Sequence, residues 1–293
     1  MEVLCNSCPR GCNALREDLK GFGFCRQGLL PKVSKACLHF WEEPPISGER
    51  GSGAIFFSGC TLKCVFCQNE EISQKDSGKI ISIEELAKLY QILEEKGAHN
   101  INLVSPTHFV DAICKSFEIY RPKIPVVYNT SGYETIETLK RLEGLVDIYL
   151  PDLKYISNDL SKRYSKAENY FENASKAIAE MVRQTGKPEF DDDSMLKKGT
   201  IVRHMVLPSN TKEAILVLNW LKNNFKDDIL VSLMGQYVPL ANAHKYEEIS
   251  RKLTSLEYEV VQDYLLDLDL DGFVQDLSSA DEDYVPDFSG SIL

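Results

Sequence analysis

Six short apolar runs, each set apart from the next by a longer stretch with apolar residues at helical spacing, constrain this chain more than any other feature. Residues 54–57, 101–104, 124–128, 146–150, 200–206 and 229–233 read as strands. Residues 83–96, 110–120, 135–145, 166–185 and 212–224 read as the helices between them. Strands that alternate with covering helices pair in parallel through right-handed crossovers. The pattern predicts an α/β protein whose core is an open partial TIM barrel, (β/α)6. At 293 residues the chain is long enough to bury that core.

A glycine-rich bridge at residues 48–53 follows Pro44 and Pro45 and divides the chain. Residues 1–50 carry five of the nine cysteines and read as a small cysteine-rich amino-terminal segment, residues 51–277 as the barrel, and residues 278–293 as an acidic, solvated tail. The net charge of −11 argues against nucleic acid as a partner, and no apolar stretch reaches membrane-spanning length. An odd number of cysteines at metal-like spacings, with no charged-then-apolar leader, points to a reducing cytoplasm rather than a disulfide framework.

In α/β barrels the chemistry sits in loops at the carboxyl ends of the strands. The first expected strand runs into Cys60, Cys64 and Cys67, the second into Ser105, Pro106, Thr107 and His108, and the third into Asn129, Thr130 and Ser131. The fourth leads to Asp152 and Lys154, the fifth contains Arg203 and His204, and the sixth ends at Met234 and Gln236. The cysteine spacing places three thiolates in one tight loop. They can hold three irons of a cubane 4Fe–4S cluster and leave the fourth iron open to a small molecule. Buried or zinc-binding thiols are the plainer reading. Ser105 to Thr107 also read as an N-cap for the helix that follows. Asp152 with Lys154 reads equally as a surface pair. Arg203, inside an apolar strand, needs an anionic partner, which a structural salt bridge would also supply.

The spacing Cys60, Cys64, Cys67, with Phe66 before the third cysteine and a strand-like lead-in, resembles the radical S-adenosylmethionine (SAM) superfamily. The resemblance implies that SAM chelates the open iron and that a reduced cluster cleaves it to a 5′-deoxyadenosyl radical, which abstracts hydrogen. It implies a flavodoxin- or ferredoxin-type reductant as well. The Gly-Gly-Glu stretch that often receives the SAM amino group in this superfamily is absent, so Ser105 and Thr107 stand in for it. The loops Asn129 to Gly132 and Pro151 to Lys154 resemble those of pyruvate formate-lyase activating enzymes, in which carboxylates hold a monovalent cation beside the SAM carboxylate. By that likeness Asn129, Thr130, Asp152, Lys154 and Arg203 join the cofactor site. Asn129 stands where those enzymes have an aspartate, which removes one charge from the cation site.

The amino-terminal motif Cys5, Cys8, Cys12, with Cys25 beyond it, can close around zinc or a second iron–sulfur cluster, and free thiols are the alternative. The layout from this motif through residues 39–45, with their His-x-x-Glu-Glu-Pro pattern, and on to Arg203 resembles a subgroup of radical SAM proteins likened to those activating enzymes. The expected function is a radical SAM enzyme acting on a protein or peptide, such as a glycyl radical enzyme. Its rivals are radical modification of a small molecule and a non-catalytic metal-binding or electron-transfer protein. Asp267 to Asp271 begins like a calcium loop but has Ser278 at the twelfth position, and residues 48–53 lack the Lys-Ser/Thr ending of a phosphate loop.

Overall fold

The computed structural model describes residues 3–277, 288 and 292–293. A two-stranded antiparallel ribbon, β1 (Val3–Cys5) with β2 (Ala14–Arg16), opens the chain. Next come β3 (Lys32–His39), the short helix α1 (Pro44–Ser47), β4 (Ser52–Phe57), α2 (Glu70–Ser73) and β5 (Lys79–Ile80). The barrel continues as α3 (Ile83–Glu95), β6 (Ile101–Val104), α4 (Val110–Ile119), β7 (Val126–Thr130), α5 (Ile136–Lys140) and β8 (Ile148–Pro151). It ends with α6 (Asn158–Ser165), α7 (Tyr170–Thr185), β9 (Glu189–Phe190), β10 (Leu196–Met205), α8 (Thr211–Phe225), β11 (Leu230–Met234), α9 (Ser255–Asp267) and β12 (Gly272–Val274).

The six expected strands correspond to β4, β6, β7, β8, β10 and β11, which pair in parallel in that order. The sheet does not close. Antiparallel β3 lies outside β4, and parallel β12 outside β11. Sequence division put residues 32–39 with the cysteine-rich segment, whereas in space they are an outer strand of the barrel sheet. Parallel strands covered by helices are apolar throughout, and β4, β6, β7 and β8 are buried at every position.

Several expected elements differ from what forms: the helix expected over 135–145 is helical only over Ile136–Lys140, and the fifth strand begins at Leu196 rather than at residue 200. The third strand starts at Val126 rather than residue 124, because Pro125 has no N–H to give the ladder. The stretch 166–185 is not one helix. Ser157 caps α6, Lys166 turns left-handed (φ 54°) to end it, and α7 begins at Tyr170. The acidic tail lies largely outside the described residues. Phe288, however, packs edge-on to Phe56 at 5.5 Å, and Ala36 N donates to Ile292 O, so these residues are docked rather than solvated.

Candidate active site

Strand β4 ends at Phe57, and the chain turns through Gly59 (φ 84°), where the Gln27 side chain lies so close that a Cβ would meet its Cγ at 2.5 Å. The loop that follows is pinned from both sides: Val65 N donates to Tyr164 O at 2.8 Å, and Asn242 N donates to Val65 O at 2.7 Å. Phe66 is buried edge-on to Tyr164 and Tyr237. A tyrosine-rich wall thus explains the aromatic before the third cysteine. Cys64 Sγ shares a hydrogen bond with Ser165 Oγ at 2.9 Å and Cys67 Sγ one with Ser73 Oγ at 3.3 Å, while Leu62 N donates to Cys60 Sγ at 3.3 Å.

All three thiols line one cavity of about 640 Å³ at the carboxyl ends of the strands, within the range of about 300–1,000 Å³ usual for cofactor and ligand sites. Burial, then the neighbouring Cys64 and Cys60, pushes the Cys67 thiol up to about 12. Burial and neighbouring thiols raise Cys64 and Cys67, and metal binding would supply the charge that lets such thiols ionise. These residues therefore fit a cysteine-bound cluster.

The opposite wall is ionic. Arg203, on β10, donates from Nε to Asp152 Oδ1 at 3.1 Å, from Nη1 to Glu42 Oε2 at 3.1 Å and from Nη2 to Asn129 Oδ1 at 2.5 Å. Lys154 Nζ donates to Asp152 Oδ2 at 2.5 Å. Burial pushes the Asp152 carboxyl up, but Lys154 and Arg203 beside it more than offset that and hold it below its ordinary value. The pair is not a loose surface bridge. Asp152 and Arg203 face each other across adjoining strands, and Leu153 N donates to Arg203 O at 2.9 Å. His204 points the other way, as strand alternation requires, and its Nδ1 donates to Leu153 O at 2.7 Å.

Of the expected cofactor residues, Ser105, Asn129, Thr130, Asp152, Lys154 and Arg203 line the cavity with the three cysteines. Thr107 does not. Its Oγ1 donates to Glu134 Oε1 at 2.6 Å behind the wall, and Thr130 Oγ1 donates to the same oxygen. Burial raises the Glu134 carboxyl to about 7, against the pull of those hydroxyls.

Glu42 and Glu43 carried no assigned role in the sequence, yet both line the cavity. Glu42 Oε1 accepts from Asn102 Nδ2 at 2.9 Å and Asn129 Nδ2 at 3.2 Å. Glu43 is buried with Oε2 lacking a hydrogen-bond partner, and burial raises its carboxyl despite nearby Arg203. An acidic pair directly before Pro44 and Pro45, at the start of α1, was the available signal.

Cys5, Cys8, Cys12 and Cys25 line a second cavity of about 20 Å³ away from that wall. All nine cysteines are thiols rather than disulfides.

An open barrel of parallel strands, with three thiols and an ionic wall facing one cavity at its carboxyl rim, has the arrangement that fits a cysteine-bound cofactor in an α/β barrel. The family model described as the radical SAM superfamily matches residues 54–221, more than half the chain. The chain belongs to that superfamily, so it is an enzyme family member for which a 4Fe–4S cluster and SAM are the implied cofactors. It is 32% identical over 278 residues to an uncharacterised protein of Methanocaldococcus jannaschii, covering 90% of this chain and 76% of that one. It is 24% identical over 217 residues to the pyruvate formate-lyase-activating enzyme of Clostridium pasteurianum, covering 69% and 82%. In fold it resembles SuiB of Streptococcus suis, solved with the precursor peptide SuiA, with a TM-score of 0.52 and 13% identity over 76% of this chain. The matched part spans about half, 48%, of SuiB. No helix among the described residues is long and apolar enough to cross a membrane.

Proposed function

We propose that this protein is a cytoplasmic radical SAM enzyme that abstracts hydrogen from a protein or peptide, in the subgroup likened to pyruvate formate-lyase activating enzymes. One observation carries the reading: the three thiols at the end of β4 and the Arg203–Asp152–Lys154 wall face one cavity of about 640 Å³. Bound to Cys60, Cys64 and Cys67, the cluster would supply the electron that cleaves SAM to a 5′-deoxyadenosyl radical.

The chain's own residues then have distinct tasks. Cys60, Cys64 and Cys67 would hold the cluster. Arg203 and Lys154 present positive charge for a carboxylate, and Ser105, held left-handed at φ 57° with its N donating to Asn129 O, offers backbone at the same rim. A monovalent cation beside SAM would share the Asp152 carboxylate with Lys154 and Arg203, and SAM affinity measured in sodium and in potassium tests that site. The amino-terminal thiols Cys5, Cys8, Cys12 and Cys25 are read as a metal site, for zinc or a second cluster. The protein-substrate reading draws support from the activating enzyme of Clostridium pasteurianum, whose target is itself an enzyme. A flavodoxin- or ferredoxin-type protein is the proposed electron source.

The test is anaerobic reconstitution followed by assay of 5′-deoxyadenosine under strong reductant. Wild type should produce it. A reconstituted protein that holds its iron and makes none would remove the reading in favour of a binding or electron-transfer role.

A further inference from the structure

The amino-terminal cysteines enclose far less space than the radical site does. Their cavity of about 20 Å³ is also lined by Thr61 and His108 from the barrel. A cavity of this size favours a single ion over the eight atoms of a cubane cluster. Donors already point at the sulfurs: Phe24 N donates to Cys12 Sγ at 3.4 Å and Arg16 Nη1 to Cys5 Sγ at 3.9 Å. His108 adds an independent sign. Its Nε2 lies 2.7 Å from Ser58 O, and because a carbonyl can only accept, that nitrogen carries the proton. The bare Nδ1 is buried with no hydrogen-bond partner, and His108 is one of the residues lining the cavity.

The same segment grips the radical loop. Arg10, between Cys8 and Cys12, donates from Nε to Thr61 O at 2.7 Å and from Nη2 to Ser165 O at 3.0 Å. Thr61 follows Cys60, and the Ser165 hydroxyl is bonded to Cys64 Sγ. The Arg10 guanidinium lies 4.0 Å from the centroid of the Phe24 ring, next to Cys25.

We propose that Cys5, Cys8, Cys12 and Cys25 bind one zinc-class divalent ion, and that this site, through Arg10, clamps the loop that carries Cys60 and Cys64. The proposal rests on reading those cysteines as metal ligands and does not depend on SAM chemistry. Loading forms four metal–sulfur bonds and releases four thiol protons to solvent, leaving a net charge of −2 beside Arg16 and Arg10. Among the described residues no group of three or more His, Cys, Asp or Glu is preset to hold an ion. Loading therefore turns the thiols inward, including the exposed Cys12.

The deciding experiment uses the full chain with Cys60, Cys64 and Cys67 all replaced by Ala, which cannot hold the radical cluster. After growth with zinc and iron and anaerobic treatment with iron and sulfide, this protein should retain about one zinc per chain and show no cluster absorption. Chelator should then extract the zinc and make Cys5, Cys8, Cys12 and Cys25 newly open to alkylation, read peptide by peptide. Iron and sulfide in place of zinc, no bound metal, or an unchanged alkylation pattern each overturns the single-ion site. For the clamp, Arg10→Gln on the otherwise unaltered chain should keep its zinc. It should lose the radical cluster to an iron chelator about tenfold faster, the weight of one charge-assisted contact. A rate equal to wild type overturns the clamp.

Discussion

The two cysteine sites use the same side chain and differ in the space around it. The cavity holding Cys60, Cys64 and Cys67 measures about 640 Å³ and has an ionic wall, whereas that of Cys5, Cys8, Cys12 and Cys25 measures about 20 Å³. In each, burial drives a thiol up to about 12, Cys67 in one and Cys8 in the other. Neither Cys67 nor Cys8 ionises readily without a metal. What separates them is room for a second molecule: the large cavity leaves space beside the sulfurs for a cofactor, and the small one does not. Thiol chemistry sets metal affinity, and enclosed volume sets whether the metal can react.

The largest effect should come from breaking the open site alone. Cys64→Ala should abolish 5′-deoxyadenosine formation while the barrel remains folded with a cooperative melting transition, because the strands pair without the loop. Matched yield and melting measurements check both halves. Retained yield contradicts the assignment.

Next in size is the ionic wall. Arg203→Ala leaves Asp152 and Glu42 without their shared cation in a mostly buried setting, so unfolding should become easier by about 3–5 kcal/mol. Denaturant titration reads this directly. SAM binding should weaken roughly ten- to a hundredfold, as expected for one charge-assisted contact. A drop in stability with unchanged SAM affinity would make Arg203 a structural residue only.

Glu134 sharpens the comparison from behind the wall. Its carboxyl is raised from 4.5 to about 7, so the folded state holds a proton that the unfolded chain gives up. Its contribution is complete below about pH 4.5 and disappears as pH rises through about 7, a loss on the order of 3 kcal/mol. Glu134→Gln should flatten that part of the stability–pH curve. The same slope in the variant assigns it to other groups.

The smallest expected effect is at Ser165, whose hydroxyl joins Cys64 and Tyr155, each at 2.9 Å. Ser165→Ala should cost about 0.5–1.5 kcal/mol of stability and should speed cluster loss by a larger free-energy equivalent than that. Equal changes in both would make it an ordinary core hydrogen bond.

Much of this was legible in residue order. The six parallel strands follow from apolar runs that no half-exposed strand would carry, and the first of them leads straight into the thiol loop. Six of the seven residues singled out for cofactor binding line the cavity. Thr107 could not be sorted from Ser105 by spacing, because a left-handed turn at Ser105 sends the next residues behind the wall toward Glu134. The break between α6 and α7 was hidden for a similar reason: Lys166 has a helix-compatible side chain and an unfavourable backbone angle.

By itself the sequence determined the barrel and the thiol triplet, since both depend on short-range order: alternating burial along strands and ligands within one loop. Only the tertiary structure decided the company those residues keep. Glu42 reaches Arg203 across 161 positions of chain, and Arg10 reaches Ser165 across 155. Contacts of that separation are set by how packed strands and loops meet in space, and a linear pattern of residue types has no means of recording them.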